Sequence, residues 1–197
     1  MEKQRKSEEF VSRHKYFDFV TPSLMRMLGL FLSKPASKYH IRELAKILGA
    51  SPAFVSKNIG SLVKIGILDF YRMGQMKIYG LNPTDPLAKQ LKIVMNVYHL
   101  KPFLDITKGH SDRIVLFGSC SSGTDSEDSD VDVFVVVKNG RDGEILKQAM
   151  PVLDATGRKI SVIIADPQEM ALLEEKDKAF YNNIKRGITL WDRIEDL

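Results

Sequence analysis

The sequence predicts an α/β chain, more strictly α+β, made of two small domains joined by a helix. The 197 residues are 44% apolar and 27% charged, which is an ordinary globular composition, and this length suits two domains of about 100 residues each. The front half shows helical periodicity followed by two short strands. The back half shows apolar strands separated by an acidic loop.

Composition limits the cellular setting that we expect. The longest apolar runs, at residues 114–117 and 133–137, are far shorter than the roughly 20 residues of a membrane span. The charged start of the chain is unlike a signal peptide, and a single cysteine, Cys120, excludes an intramolecular disulfide framework. We therefore expect a cytoplasmic protein with no membrane contact.

Charge is divided unevenly between the two halves. Residues 1–85 carry a net charge of +7 and residues 86–197 a net charge of −3, within a total of +4. A basic front half favours a polyanionic partner, whereas an acidic back half would repel one unless metal ions intervene. Two solvated surfaces without partners would give the same charge imbalance, so charge alone does not show whether the front half binds a polyanion.

The front half begins with two segments of different character. Residues 1–20 alternate charged and aromatic side chains without a clear period, and we assign them as a helix or an arm. A dense apolar run then follows a capping residue, Thr21, and stops before Pro35. This run predicts a buried helix, because proline disfavours helical backbone angles in the residue before it.

Two further helices joined by a tight turn follow. Residues 41–48 have apolar side chains at helical spacing and stop at Gly49, which adopts left-handed backbone angles without strain. The next helix starts from Ser51 as its N-cap, with Pro52 in the first turn. Its inward face is predicted to consist of Val55, Ile59 and Leu62.

A strand pair comes directly after these helices. Residues 67–72 and 76–81 alternate in the manner of strands and are separated by a turn at Gly74. Two helices with a glycine-containing turn, followed by such a pair, resemble a winged helix-turn-helix domain, here spanning residues 21–85.

That resemblance implies a nucleic-acid partner. In similar domains the second helix enters the DNA major groove and the wing contacts the neighbouring backbone. We therefore expect double-stranded DNA as a partner, and the contact residues that we expect are Ser51, Ser56, Lys57, Arg72 and Lys77. A dimerisation module with ordinary surface lysines is the alternative interpretation, and a homodimer is a further assembly to test.

A linking helix and a second domain complete the predicted organisation. Residues 86–108 are predicted as a helix that Pro102 kinks or restarts. One stripe of this helix is apolar and consists of Leu87, Leu91, Val94, Met95 and Tyr98. Residues 109–197 are predicted as a small mixed β-sheet flanked by helices.

The most specific pattern of the sequence lies between two apolar strands of the second domain. The first strand ends at Gly118 and Ser119, and the second opens about ten residues later with Asp130 and Asp132. Alternate residues of a strand point to one side, with Cα atoms about 6.6 Å apart. Two carboxylates at this spacing repel each other unless a cation lies between them, and Mg²⁺ prefers a few carboxylates together with substrate phosphates.

Other interpretations of this loop fit less well. Gly118 and Gly123 have the spacing of a P-loop, but the required Lys-Ser/Thr does not follow. An EF-hand starting at Asp128 would place Val133 where glycine is needed. A plain solvated turn stays open as an alternative, although the two aspartates border a run of valines.

The pattern consists of a Gly-Ser turn, a gap of about ten residues, and then two aspartates that alternate with hydrophobic residues. It resembles the active-site signature of the polymerase-beta-like nucleotidyltransferase superfamily, and the minimal branch of that superfamily is the best match. The likeness covers residues 98–192. It implies that residues 157–164 form the third strand and that residues 180–191 form a closing helix and turn.

The resemblance also implies an enzymatic activity and a site. Asp130 and Asp132 would be catalytic and would hold Mg²⁺ or Mn²⁺, while Gly118 and Ser119 would bind phosphates of a nucleoside triphosphate (NTP). Such a transferase moves a nucleoside monophosphate to an acceptor hydroxyl and releases pyrophosphate. The alternative function is a DNA-binding transcriptional regulator whose second domain senses nucleotide with little or no catalysis. An interaction or antitoxin-like role has no specific motif in its favour.

The sequence departs from the superfamily pattern at two positions. Ser161 stands where the superfamily usually has a third carboxylate, and serine is a poor general base at neutral pH. Ser122 stands where an arginine is frequent. Asp154 or Asp166 would replace the missing acid only through a bend of the chain. Both differences are compatible with slow transfer, or with nucleotide binding without turnover.

The remaining chemistry-bearing side chains are expected to have structural roles. Cys120 has the character of a small buried residue beside the phosphate turn. Trp191 and the residues after it are expected to cap the core and to end in solvent. The histidines are far apart in sequence and lack metal-ligand spacing; they are His14, His40, His99 and His110.

Overall fold

The structure is a computed structural model that describes residues 21–149 and 157–193. The predicted N-terminal helix or arm at residues 1–20 lies outside these ranges, as does Asp154. The chain divides into two compact units. One consists of Met1–Phe31 and Lys38–Gly80, and the other of Leu32–Ser37 and Leu81–Leu197.

The first part of the described chain is a winged helix-turn-helix. Its elements in chain order are α1 (Pro22–Ser33), β1 (Lys38–His40), α2 (Ile41–Leu48), α3 (Pro52–Lys64), β2 (Leu68–Met73) and β3 (Met76–Leu81). The three strands form one sheet in the order β1-β3-β2, with β1 antiparallel to β3. The predicted helices and wing are therefore confirmed. Strand β1 was not predicted, because three residues are too few to show alternation.

Local sequence signals fix the helix-turn-helix as expected. Gly49 has φ of 61° and ends α2, and its N–H donates to the carbonyl of Ala45. The Ser51 hydroxyl accepts a hydrogen bond from the N–H of Phe54 at 3.2 Å and caps α3. The predicted inward face of α3 is confirmed as buried, and it consists of Val55, Ile59 and Leu62.

The second part of the described chain is a mixed sheet with flanking helices. Its helices are α4 (Pro86–His99), α5 (Lys101–Thr107), α6 (Gly118–Ser122), α7 (Gly140–Ala149), α8 (Pro167–Lys176) and α9 (Lys178–Lys185). Its strands are β4 (Ser111–Leu116), β5 (Val131–Val137), β6 (Ile160–Ala165) and β7 (Ile188–Asp192). The predicted α/β class with a small mixed sheet is confirmed.

The strand order of this sheet is β6-β5-β4-β7. Strand β5 pairs parallel with β6 and antiparallel with β4, and β4 pairs antiparallel with β7. Both faces of β5 are covered: the odd-numbered valines join one core cluster, while Phe134 and Val136 join a second. Because side chains alternate along a strand, Asp132 lies on the same face as Phe134, where the second cluster reaches the start of β5.

The linking helix differs from its predicted packing. It consists of two helices, α4 and α5, and Pro102 lies in the first turn of α5. Two members of the predicted apolar stripe of α4 face outward, since Val94 is 62% and Tyr98 66% exposed, while the other three are partly buried. The buried positions of α4 instead include two polar residues, Lys92 and Asn96. The reason is a buried polar network with the loop before β5, which hydrophobic periodicity cannot reveal.

The end of the described chain also differs from prediction. The segment expected as a closing turn is strand β7, in which Trp191 pairs with Ile114 and Asp192 with Arg113 of β4. The Asp192 carboxylate binds the Arg113 guanidinium at 2.6 Å and is 6% exposed, so it does not end in solvent. Trp191 packs on the first core cluster, as expected. Within the described ranges, no helix is both long and apolar enough to cross a bilayer.

Candidate functional site

Gly118 and Asp132 are brought together where β4 ends and β5 begins. The N–H of Phe117 donates to the carbonyl of Asp132 at 3.0 Å, which holds the two strand ends in register. Gly118 then has φ of 68°, and a Cβ at this position would lie 2.7 Å from Oδ2 of Asp132. Glycine is favoured here because the backbone angle is left-handed, and any side chain would also push the Asp132 carboxylate aside.

The two motif aspartates lie in different environments. Asp130 precedes β5, its side chain is 46% exposed, and its Oδ2 lies 3.5 Å from Nζ of Lys159. Asp132 is partly buried. Burial raises the pKa of the Asp132 carboxyl above its ordinary value, and the negative charge of Asp130 raises it further. The carboxylates of Asp130 and Asp132 therefore repel each other, and a bound cation would relieve this repulsion.

The donor set at this position is small. Within residues 21–149 and 157–193, no group of three or more His, Cys, Asp or Glu side chains is arranged to hold a metal ion. Two carboxylates nevertheless fit Mg²⁺ or Mn²⁺, because such ions bind through one or two carboxylates and complete their shells with water and substrate phosphates. The repulsion between Asp130 and Asp132 supports the same interpretation.

The third-carboxylate position is clear from the register of the sheet. Asp132 pairs with Ser161 across the parallel strands β5 and β6. Asp166 lies five residues beyond Ser161, about 16 Å along the strand direction, and so at the opposite end of the sheet. Its carboxylate accepts hydrogen bonds from the N–H groups of Gln168 and Glu169, each at 2.8 Å, as the N-cap of α8. Asp166 therefore does not complete the site.

Ser119 follows Gly118 in the short helix α6. It is partly buried, and its carbonyl accepts hydrogen bonds from the N–H of Thr124 and from the hydroxyl of Ser122, both at 3.1 Å. Ser122 also lies 2.9 Å from the Thr124 hydroxyl. The residue in place of the frequent arginine thus hydrogen-bonds within the turn, and Ser119 directly follows Gly118, the residue that lies against Asp132.

A buried polar network beside this site was not predicted. It joins α4, the loop before β5 and the residue ahead of β6, and its members are Lys92, Asn96, Asp125 and Arg158. The Asp125 side chain is 3% exposed and that of Arg158 is 10% exposed. Asp125 binds Lys92 at 3.3 Å and Arg158 at 3.1 Å. Buried charges in proteins are paired in this way, because an unpaired one would be strongly destabilising.

The sequence held a weak signal for this network. Lys92 and Asn96 are four residues apart in α4 and therefore lie on one helix face. Asp125, however, is one of several acids in its loop, and Arg158 is one of two adjacent basic residues. Nothing in the sequence alone connects these distant positions.

Cys120 is part of the same neighbourhood. Its Sγ accepts a hydrogen bond from Arg158 Nη2 at 2.9 Å and donates to the carbonyl of Asp130 at 3.5 Å. Burial raises the pKa of the Cys120 thiol to about 11, and the nearby Asp125 carboxylate also raises it. The thiol is therefore protonated near neutral pH, in agreement with the expected structural role.

In the winged helix-turn-helix, two of the predicted DNA-contact residues lie together. Arg72 and Lys77 on the wing line an open groove of about 680 Å³ with His40 and Arg42 at the start of α2. Lys77 lies over the ring of Phe70, with Nζ 4.5 Å from the ring centroid. The residues lining this groove include several cations and no acid.

The other predicted DNA-contact residues lie on α3 and at its start. Ser51, Ser56 and Lys57 are all exposed. The Ser51 hydroxyl is used as the cap of α3, and the residue borders a separate groove with Phe54, which is 41% exposed. The structure thus groups Arg72 with Lys77 and does not place Ser51 in their groove.

Comparison with known proteins supports the interpretation of the second unit. Residues 100–187 match the family described as "Nucleotidyltransferase domain". This part of the chain is therefore a nucleotidyltransferase domain, as its motif implied, and it is preceded along the chain by a winged helix-turn-helix. No curated protein matches the chain significantly.

Several solved structures resemble parts of the chain. NolR from Sinorhizobium fredii is 20% identical, and the match covers 49% of this chain and 91% of NolR, with a TM-score of 0.35. The adhesin competence repressor AdcR from Streptococcus pyogenes is 19% identical over 55% of this chain and 76% of AdcR (TM-score 0.34). A candidate nucleotidyltransferase from Sulfolobus solfataricus is 17% identical over 54% of this chain and 89% of its own (TM-score 0.37). These scores are too low to support a functional conclusion.

Proposed function

We propose that the chain is a metal-dependent nucleotidyltransferase that moves a nucleoside monophosphate from an NTP to an acceptor hydroxyl. The observation that carries this proposal is the packing of the Gly118 turn against the Asp132 carboxylate, with Asp130 alongside. The nucleotidyltransferase match over residues 100–187 supports it.

Each motif residue has a distinct part in this proposal. Asp130 and Asp132 would hold Mg²⁺ or Mn²⁺, because their two carboxylates are close enough to repel each other. The bound ion supplies charge neutralisation for the triphosphate and for the oxygen that attacks it. Gly118 allows the backbone of the turn to approach the Asp132 carboxylate, and Ser119 would offer a hydroxyl and an N–H to phosphate oxygens.

A catalytically weak nucleotide sensor is the second candidate function. The pairing of Asp132 with Ser161 favours it, because the position of the usual third acid holds a residue that cannot deprotonate an alcohol usefully at neutral pH. Binding of the nucleotide would then be retained while its turnover is slow. Both candidates need the same aspartates for metal binding, so they are separated only by measuring transfer.

For the winged helix-turn-helix, we propose binding to double-stranded DNA. The cationic groove lined by Arg42, Arg72 and Lys77 supports this assignment, because phosphate contacts dominate DNA affinity. Ser56 and Lys57 are exposed on α3 and, in this proposal, would contact a groove edge or a phosphate. The protein would thus be a DNA-binding nucleotidyltransferase or a DNA-binding regulator.

The decisive experiment is transfer of label from an α-³²P-NTP in the presence of Mg²⁺ or Mn²⁺, across a broad panel of acceptors. Transfer is expected for the wild type and is expected to be lost in Asp130→Ala and Asp132→Ala. Asp128→Ala, an exposed acid of the same loop, is the matched control and should retain activity.

Calorimetry with Mn²⁺ and ATP separates the remaining outcomes. Binding without label transfer would favour the nucleotide sensor over the enzyme. Absence of binding by the folded wild type would contradict both functions, since each requires a metal-bound triphosphate at Asp130 and Asp132.

A further inference from the structure

The backbone around Asp130 is held on both sides by hydrogen bonds to carbonyl groups. Arg158 Nε donates to the carbonyl of Ser129 at 3.0 Å, which is the peptide before Asp130. Cys120 Sγ donates to the carbonyl of Asp130 itself at 3.5 Å. The two peptide planes that flank the Asp130 Cα are therefore both tied to neighbours, and they fix the direction in which its side chain leaves the backbone.

The same guanidinium also reaches the opposite side of the candidate site. Arg158 Nη2 donates to Cys120 Sγ at 2.9 Å, and Cys120 is the residue after Ser119 in α6. Arg158 thus connects the turn proposed to bind phosphate with the loop end that carries a proposed metal ligand. These two segments are ten residues apart in sequence, and their spacing decides whether one ion can contact both an aspartate and a phosphate.

The orientation of Arg158 is in turn fixed from α4 and the loop. Its Nη1 donates to Oδ1 of Asn96 at 3.2 Å and to Oδ2 of Asp125 at 3.1 Å. Asn96 also donates to the carbonyl of Cys120 at 3.1 Å. A planar guanidinium donates from three nitrogens in fixed directions, whereas the three donors of a lysine ammonium all leave a single nitrogen.

We propose that Arg158 is a positioning residue that sets the geometry between the Gly118–Ser119 turn and Asp130, and so the affinity of the site for a metal-bound triphosphate. This inference rests on the proposed function. It assigns a role to a residue with no place in the sequence motif.

The test uses the full chain with Arg158→Lys, which keeps the charge and removes the fork, and Lys92→Met as the matched control. Lys92 belongs to the same buried network but binds only Asp125 in it. Binding of Mn²⁺ with ATP, followed by electron paramagnetic resonance, is expected to weaken about 10-fold or more in Arg158→Lys, a typical effect of residues that orient metal ligands. Lys92→Met should change it much less than Arg158→Lys does, because Lys92 lies one contact further away and bonds neither carbonyl beside Asp130.

A second readout needs no metal. The N–H of Val131 donates to the carbonyl of Lys159 at 2.8 Å, and that of Ser129 to the carbonyl of Ser126 at 3.3 Å. Hydrogen exchange at these two amides should accelerate in Arg158→Lys and should change much less in Lys92→Met. Should Arg158→Lys not fold, Cys120→Ala removes one of the two flanking bonds and should show the same two effects at smaller size.

The outcomes are distinct. Equal effects of Arg158→Lys and Lys92→Met on Mn²⁺ binding, or no effect of either, would overturn the positioning role. If the wild type binds no Mn²⁺ with ATP, the proposed function fails instead. Unchanged exchange at Val131 and Ser129 in a folded Arg158→Lys variant would also overturn the inference, whatever the metal binding shows.

Discussion

Asp132 and Ser161 are direct partners across the parallel strands β5 and β6, so a hydroxyl lies beside the more buried of the two motif carboxylates. In the nucleotidyltransferase pattern that the chain resembles, an acid is usual at this position. The pairing makes Ser161 the position at which catalytic strength can be tested by a single substitution.

Ser161→Asp is expected to raise the rate of label transfer by about 100-fold if the acceptor needs a general base, which is the lower range of such catalysis. It also adds a third carboxylate and should tighten Mn²⁺ binding. Transfer from an α-³²P-NTP measures the first effect and calorimetry the second. Ser161→Asn is the control of similar size. A variant that binds Mn²⁺ more tightly without faster transfer would favour the sensor function.

Gly118→Ala is expected to destabilise the fold by about 1–3 kcal/mol, because a non-glycine residue at positive φ is strained. It should also weaken binding of Mn²⁺ with ATP, since the new methyl group would displace the Asp132 carboxylate. Thermal unfolding and calorimetry measure the two effects. Gly29→Ala is the matched control: it lies within α1 with no atom in the way and should be neutral or slightly stabilising. If Gly118→Ala and Gly29→Ala had the same stability and the same affinity for Mn²⁺ with ATP, the close approach of Gly118 to Asp132 would be contradicted.

Asp132→Asn is expected to stabilise the metal-free protein at neutral pH. The pKa of Asp132 is raised in the folded state, so the fold favours the protonated carboxyl and loses stability as the pH rises through that pKa. The Asp132→Asn substitution removes the negative charge and with it this loss of stability. Because the Asp130–Asp132 pair is partly exposed, the gain in Tm should be about 1–3 °C. It should disappear at acidic pH, where the wild type is protonated.

Melting curves from about pH 3 to pH 8 measure this dependence over the range where carboxyl groups titrate. Asp128→Asn removes the same charge from an exposed position of the loop and serves as the control. A gain in Tm that is equal at all pH values would show that packing, and not charge, separates Asp132→Asn from the wild type.

Cys120 is expected to react slowly with thiol reagents in the folded protein. With a pKa of about 11, its thiolate fraction at pH 8 is lower by about two orders of magnitude than that of an ordinary cysteine, and the side chain is also buried. Reaction with a disulfide reagent, followed by absorbance, should become fast only in guanidinium chloride. Rapid modification of the folded chain would contradict the buried, protonated thiol.

Arg72→Ala and Lys77→Ala are expected to weaken binding to double-stranded DNA and to lower the salt dependence. Each lost phosphate contact should reduce the slope of log affinity against log salt by about 0.9. A filter-binding salt titration measures the slope. Lys176→Ala removes one positive charge from an exposed position of the nucleotidyltransferase domain and should leave the slope unchanged. A wild-type slope near zero would exclude the proposed phosphate contacts.

Much of the fold was predictable because its signals are local. Gly49 and the Ser51 cap mark the helix-turn-helix, and the valine run of β5 marks a strand covered on both faces. Strand β7 was missed because its pairing with β4 joins residues about 80 positions apart. The burial of Lys92 and Asn96 was missed for the same reason, since their partners lie in other elements.

In the candidate site, too, the features that depend on local sequence were predictable and those that depend on long-range pairing were not. The spacing of Gly118, Ser119, Asp130 and Asp132 predicted a cluster, because strand ends and alternation are short-range properties. The register that excludes Asp166 and places Ser161 beside Asp132 depends on the pairing of two strands. The role of Arg158 depends on side-chain contacts among four separate segments, which no periodicity encodes.

The buried position of Lys92 and Asn96 has a consequence for dissecting the protein. The nucleotidyltransferase match begins at residue 100, after the helix that supplies both side chains. A fragment cut at that residue would leave Asp125 and Arg158 without two of their buried partners. An autonomous catalytic half must therefore retain α4 and start no later than Asp85, its N-cap.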